Sequence, residues 1–213
     1  GSIEITNPLA STQLQSGKNV NITWTSANIG LVNLLYSLDD GLTWNNIETN
    51  INSNSVSSTN WVIPNNIFTD KGRIRIESVN DPTIRFTSGT FIISNLAITS
   101  PNIGNEIWKA GDINAITWNS NFVNNLKIEY TSNGGTTWNT IINSVAAAIG
   151  TYNWQTPNNL SGELKIKISD VNNLNIFDEN DNTFSVRYIY VTNPNGGEVV
   201  QAGIPYSIKY ANS

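Results

Sequence analysis

One pattern runs through the chain two and a quarter times, and nothing else in the sequence restricts the fold as strongly. Ile5-Thr6-Asn7-Pro8 returns as Ile98-Thr99-Ser100-Pro101 and again as Val191-Thr192-Asn193-Pro194. Ile22-Thr23-Trp24 returns as Ile116-Thr117-Trp118 and, weakly, as Ile208-Lys209-Tyr210. Tyr36 through Trp44 returns as Tyr130 through Trp138, and Trp61-x-x-Pro64 as Trp154-x-x-Pro157. The offsets are 93 or 94 between the first two copies and 92 or 93 between the second and third. A period held across so many landmarks marks duplicated domains. About 93 residues is an ordinary size for a small domain with one core.

The period predicts one domain over residues 1–94, a second over 95–187, and the start of a truncated third repeat over 188–213. That last piece can supply two strands at most and cannot bury a core alone. The leading Gly1-Ser2 reads as a cloning scar, which marks a fragment of a longer array. The junctions, Ile93-Ser94-Asn95-Leu96 and Val186-Arg187-Tyr188-Ile189, keep strand-like residues and contain no Gly/Ser or Pro tract. They predict an extended rod with limited bending.

Inside each copy the apolar residues recur every second position. Val20, Ile22 and Trp24 alternate with Asn21 and Thr23; Ile74 and Ile76 sit between Arg73, Arg75 and Glu77; Ile166 and Ile168 sit between Lys165, Lys167 and Ser169. Each run reads as a strand with one buried and one wet face. Clusters of Gly, Pro, Asn and Asp separate the runs. No segment of a dozen residues keeps the 3.6-residue spacing of a helix. About seven short strands per copy predict an all-β fold of tandem immunoglobulin/fibronectin-III-like antiparallel β-sandwiches. The Cys pair usual in antibody domains is missing, so the repeated tryptophans are expected to form the core. Trp108 aligns with Leu14 and Val200, an apolar slot in every copy, which favours packing over sugar stacking.

Composition removes whole classes of chemistry. The chain has no Cys, His or Met, which excludes disulfides, thiol and imidazole catalysis, and zinc held by His or Cys. Sixteen acidic residues outweigh eleven basic ones, and the densest basic groups lie on strand faces, so no nucleic-acid partner is expected. No apolar run reaches the ~18 residues of a membrane span, so no membrane insertion is expected. Asn is over-used, at 36 of 213 residues, and turns account for it because Asn tolerates positive φ and bonds its own backbone.

The one segment that looks like chemistry is Ser37-Leu38-Asp39-Asp40-Gly41-Leu42-Thr43-Trp44. It resembles the Asp box, S-x-D-x-G-x-T-W, of sialidases and related propellers. Thr131-Ser132-Asn133-Gly134-Gly135-Thr136-Thr137-Trp138 is a relaxed second copy. Ser37, Asp39, Gly41, Thr43 and Trp44, with Asn133, Gly135, Thr137 and Trp138, read as a structural turn motif. An Asp or Asn side chain accepts backbone N–H bonds, Gly supplies the left-handed residue, and Trp is expected to plug the core. A sialidase is excluded because propeller blades recur at about 40–50 residues and two copies cannot close a ring of at least four. Asp39 and Asp40 are adjacent and cannot flank a sugar ring as glycosidase carboxylates do.

The wider pattern, from the (I/V)-T-x-P opening through Y-S-x-D-G-G-x-T-W to W-x-x-P, resembles the immunoglobulin-like repeats of large bacterial secreted and cell-surface proteins. Their opening segment is similar to that of fungal Kre9/Knh1 cell-wall proteins. The resemblance implies a non-catalytic module, often in tandem, in proteins with adhesive or polysaccharide-degrading domains elsewhere. Its expected partners are neighbouring repeats of the same protein, with polysaccharide or cell-surface glycan as a second class, and no cofactor. Three further readings stay open. Trp108, Tyr188 and Tyr190 near the junctions are candidate carbohydrate-stacking residues. Asp178 and Asp181 in the loop 178–182 are a weak Ca²⁺ candidate, with a solvated acidic loop as the default. The strands of 188–213 could complete a neighbouring copy by strand addition, giving a self-assembling subunit.

Overall fold

The structure, a computed structural model, describes residues 1–158, 160 and 162–212. Two compact units emerge: residues 1–96 with 120–124, and residues 97–119 with 125–213.

Unit 1 is built from β1 (Ser2–Asn7), β2 (Gln13–Gln15), β3 (Asn19–Ala27), β4 (Leu31–Ser37), β5 (Asn45–Asn52), β6 (Ser58–Val62), β7 (Thr69–Ser78), β8 (Arg85–Thr87) and the first part of β9 (Phe91–Ser100), whose residues 97–100 belong to unit 2. One sheet has the order β1-β3-β6 and the other β9-β7-β4-β5, with β8 on β7. All these pairings for which a register is defined are antiparallel except that of β2, which runs parallel to β9. The two sheets close over Ile22, Trp24, Leu34, Trp61, Ile74, Ile76, Phe91 and Ile93, all buried. Burying each Ile or Leu contributes roughly 1.5–3 kcal/mol. The alternation is literal on β7, where Ile74 and Ile76 are fully buried while Arg73, Arg75 and Glu77 stay on the outer face.

Unit 2 repeats the plan with β10 (Ile107–Lys109), β11 (Ile113–Asn121), β12 (Asn125–Thr131), β13 (Asn139–Ala146), β14 (Thr151–Gln155), β15 (Gly162–Asp170), β16 (Phe177–Glu179) and β17 (Phe184–Arg187). Its sheets run β9-β11-β14 and β10-β17-β15-β12-β13, with β16 on β15. Again the short strand is the parallel one, β10 against β17. Ile116, Trp118, Leu126, Ile128, Ile166, Ile168 and Phe184 fill the interior. A single 3₁₀ turn, Ala147–Ile149, ends at Gly150 in the left-handed conformation (φ 71°). Each unit is therefore an antiparallel sandwich of immunoglobulin/fibronectin-III-like type.

The repeated landmarks have repeated geometry. Thr6 and Thr23 join their hydroxyls at 2.7 Å, as do Thr99 and Thr117. Tyr36 packs on Trp61 and Tyr130 on Trp154, both with ring centroids 5.0 Å apart. The peptide bonds before Pro8, Pro101 and Pro194 are all cis. The last two strands, β18 (Ile189–Asn193) and β19 (Lys209–Asn212), form a two-stranded antiparallel ribbon.

Four tryptophans, Trp24, Trp61, Trp118 and Trp154, are buried. The expectation that Trp44 and Trp138 plug the core is corrected: both are only half-buried. Each lies on the outside of its sandwich under a cation, Arg75 over Trp44 and Lys167 over Trp138, each 4.2 Å from the ring. The cause is strand parity. Each indole shares the outer face with Arg75 or Lys167, and the inner positions of those strands already hold Ile74, Ile76, Ile166 and Ile168.

Candidate functional site

The S-x-D-x-G-x-T-W segment joins β4 to β5 and makes most of its hydrogen bonds within itself, while the Leu38 carbonyl accepts the Thr69 hydroxyl (2.7 Å) and the Asp40 N–H donates to the Lys71 carbonyl (3.1 Å). The Ser37 hydroxyl donates to Asp39 Oδ1 (2.7 Å) and accepts the backbone N–H groups of Asp39 (3.2 Å) and Gly41 (2.8 Å). Asp39 Oδ1 accepts the Thr43 N–H (2.9 Å), and Oδ2 accepts the Thr43 hydroxyl (2.6 Å). The Trp44 indole N–H donates to the Gly41 carbonyl (2.9 Å). Asp40 and Gly41 both take positive φ, 63° and 91°, the geometry of a tight hairpin turn. Outside the turn, Asp40 pairs with Arg73 from β7.

These donors set the electrostatics. The Thr43 hydroxyl first, then the Thr43 N–H and the Ser37 hydroxyl, lower the Asp39 pKa to about 2. A carboxylate stabilised this way holds its charge and accepts hydrogen bonds; it has no proton to give near neutral pH.

The second copy performs the same folding task without charge. Thr131 replaces Ser37 and accepts the N–H groups of Asn133 (3.3 Å) and Gly135 (3.1 Å). Asn133 Oδ1 accepts the Thr137 N–H (3.0 Å), and Asn133 Nδ2 donates to the Thr137 hydroxyl (2.8 Å). The Asp-to-Asn difference reverses one hydrogen bond and leaves the turn intact.

The loop 178–182 is bound into unit 2. Asp178 Oδ2 accepts the Ile98 N–H of β9 (2.8 Å). Asp181 donates its N–H to Asn102 Oδ1 (2.6 Å), and its Oδ2 accepts from Asn102 Nδ2 (3.2 Å). Asn180 between them is fully buried and extends the β15 ladder: its Oδ1 accepts the Ile166 N–H and its own N–H donates to the Ile166 carbonyl (3.2 Å). Ser88 performs the same service for Ile74 in unit 1. Among the described residues, no group of three or more Asp and Glu side chains is placed to hold a metal.

The three aromatic candidates do come together within unit 2. Trp108, on β10, is half-buried, with its ring 4.6 Å from Phe184 and 6.2 Å from Trp154. It lines a depression of about 310 Å³ with Ile107, Lys109, Arg187, Tyr188 and Ile189. Tyr188 stacks on Tyr190 at 5.8 Å with planes 25° apart. Tyr188 and Tyr190 line a second depression with Ala110, Asn158 and Ile189.

Sequence reasoning missed the role of Glu106. Its Oε1 accepts the N–H groups of Asn102 (2.9 Å) and Ile103 (2.8 Å), closing the loop after Pro101. Burial pushes this carboxyl up, but the surrounding N–H groups outweigh it and hold the pKa below its ordinary value. Glu198 closes the loop after Pro194 in the same way, bonding the N–H groups of Asn195 and Gly196, both at 2.7 Å. The signal was present in the sequence: Glu106 and Glu198 each lie five residues before the repeat glycine, Gly111 or Gly203.

No family model matches the chain, and no curated protein matches it. Solved structures do. The fibronectin(III)-like modules of Clostridium thermocellum CbhA are 14% identical, covering 87% of this chain and 94% of theirs, with a TM-score of 0.33. A titin I-band fragment is 8% identical, covering 89% of this chain and 67% of its own, with a TM-score of 0.37. The first two Ig domains of DIP-gamma are 10% identical, covering 87% and 98%, with a TM-score of 0.30. The sandwich architecture itself follows from the strand pairings and buried faces described above.

Proposed function

We propose that the chain is a non-catalytic structural or interaction module: spacer repeats of a secreted or cell-surface protein, such as an adhesin or an extracellular enzyme carrying them as an appendage. One observation carries this reading. Every feature shared by the two units is spent on folding: the inward Ile and Trp positions, the threonine pair, the Tyr–Trp contact and the self-bonded β4–β5 turn. The carboxyl groups add support. Asp39, Asp81, Glu106, Glu163 and Glu198 all have pKa values shifted down, whereas a general acid near neutral pH needs one shifted up. No helix among the described residues is long and apolar enough to cross a membrane. The partners proposed are neighbouring repeats of the same protein.

Pulling the chain by its ends tests the spacer role. Two separate unfolding events are expected, each releasing about 300 Å of chain. A single merged event argues against independent load-bearing units. A hydrolase activity lost in Asp39→Ala overturns the non-catalytic reading.

A second reading, carbohydrate binding, is favoured by the depression that Trp108 and Tyr188 share. Tyr190, exposed and stacked on Tyr188, is the residue to remove, because truncating Trp108 also strips packing from Phe184 and Trp154. Glycan-array binding lost in Tyr190→Ala supports this reading, and an array without signal for the unmodified protein dismisses it.

A further inference from the structure

The hairpin between β7 and β8 carries the chain's one Asp–Pro bond, Asp81–Pro82. Asp81, Pro82 and Thr83 are exposed at its tip. The Ile84 N–H donates to the Asp81 carbonyl (2.9 Å) and the Ser78 N–H to the Ile84 carbonyl (3.0 Å), which fixes the turn. Asp81 Oδ1 accepts the Thr83 N–H (3.1 Å) and the Thr83 hydroxyl (2.6 Å). Both bonds end on Oδ1, which leaves Oδ2 to react.

Unit 2 makes the same turn between β15 and β16 from different residues. The Ile176 N–H donates to the Asn173 carbonyl (2.9 Å) and the Asp170 N–H to the Ile176 carbonyl (2.9 Å). Asn173 Oδ1 accepts the Asn175 N–H (3.2 Å). Asn173-Leu174 stands where unit 1 has Asp81-Pro82. Folding this turn therefore requires neither a carboxylate nor a proline. Together the two residues bring a nucleophile to a leaving group. The carboxylate can close a five-membered ring on its own main-chain carbonyl, and the tertiary amide nitrogen of proline takes a proton more readily than an ordinary amide nitrogen.

We propose that Asp81–Pro82 is a self-cleavage site that cuts unit 1 in acid. An ionised Asp81 oxygen attacks the Asp81 carbonyl carbon and forms a cyclic anhydride. The bond from that carbon to the Pro82 nitrogen breaks, and the nitrogen leaves with a proton taken from solvent. Water then opens the anhydride, which restores the side-chain carboxyl and leaves a C-terminal carboxyl on Asp81 and a secondary amine on Pro82. One water is consumed, and nothing is oxidised or reduced. The folded turn assists at two points. The Thr83 contacts close a ring of atoms that contains the scissile bond, so the carboxyl is held beside the carbon it attacks. The Ile84 N–H sits on the oxygen where negative charge develops. The charged residues on the strands around the hairpin are Glu77 and Arg85, which face each other across β7 and β8, and Glu4 on β1; β4 and β9 carry none. The Asp81 pKa is lowered by the Thr83 hydroxyl first and the Thr83 N–H second, so its charge is set within the turn. After the cut, residues 1–81 and 82–213 stay docked through the pairings of β7 with β8 and β9. A covalent spacer then becomes one held by packing alone. The site goes beyond the module reading and does not depend on it.

The test incubates the whole chain at the lowest pH at which circular dichroism shows its strands intact, and in concentrated urea at the same pH. Denaturing mass spectrometry follows the fragments 1–81 and 82–213. Cleavage of the folded chain is expected to be at least about tenfold faster than in urea, and to fall by at least about tenfold in Asp81→Asn and in Pro82→Ala. Asn173→Asp combined with Leu174→Pro is expected to add a second cut in the matching turn of unit 2. Thr83 acts as a positioning residue. Thr83→Val is expected to raise the pH at which the rate stops climbing as acid is added, because the Asp81 carboxyl then takes up its proton sooner, and Thr83→Ser to restore the profile. A folded chain that cleaves no faster than the urea-unfolded one overturns the proposal. So does a folded double variant that stays whole at 173–174. Neither result touches the two unfolding events of units 1 and 2, which are read on the uncut chain at neutral pH.

Discussion

Trp24 and Trp118 occupy the same place in the two units, yet their indole N–H groups meet different fates. Trp118 Nε1 donates to the Ala147 carbonyl at 2.8 Å, where the 3₁₀ turn begins. Trp24 Nε1 is buried and, among the described residues, has no acceptor. Replacing each by Phe removes the same atoms from equivalent, nearly solvent-free positions, so the packing losses largely cancel in the difference. Two terms remain. Trp118→Phe loses a buried hydrogen bond, worth about 0.5–1.5 kcal/mol net. Trp24→Phe relieves a buried donor that was costing about 1–3 kcal/mol. Trp118→Phe should therefore destabilise unit 2 by about 1.5–4.5 kcal/mol more than Trp24→Phe destabilises unit 1. Native-state hydrogen exchange reads the two units separately, at Ile22 in β3 and Ile116 in β11. Equal losses, or a larger loss from Trp24→Phe, would refute the reasoning.

Three other outcomes follow from the geometry. Asp39 has its folded pKa lowered to about 2 from 3.8, so the stability it contributes is present above pH 4 and is lost as pH falls toward 2; Asp39→Asn, which reproduces the second copy, should flatten urea-measured stability across that window. Gly72→Ala would put a Cβ 2.4 Å from Phe91 Cε2 in the unit 1 core, and should cost about 1–3 kcal/mol in a urea melt. Arg75→Ala should uncover Trp44, shift its fluorescence to the red and cost about 0.5–1 kcal/mol, with Lys167→Ala doing the same at Trp138.

Much of the sandwich was legible because its strands carry the period-2 code. Ile74 and Ile76 between Arg73, Arg75 and Glu77 specify both the strand and its inner face. The short strands Gln13–Gln15 and Ile107–Lys109 were not legible, since three residues show no alternation and their parallel partners lie about 80 residues away. Trp44 and Trp138 misled because a large aromatic after a turn suggests the core, while strand parity sent each to the outer face beneath a cation. The loop 178–182 read as acidic and solvated. Its role came from pairings 14 and 80 residues apart, Asn180 with Ile166 and Asp178 with Ile98, which no local pattern encodes.

The β4–β5 turn settles its hydrogen bonds through Ser37, Asp39, Gly41 and Thr43, and none of those bonds uses the side chain of Leu42 between the last two. Leu42 is 85% exposed, and the corresponding residue in the next unit is Thr136. A repeat of this design can present different side chains at its tip, copy after copy, over an unchanging frame. That makes position 42 and its counterparts a natural display point for diversification, by selection or by grafting.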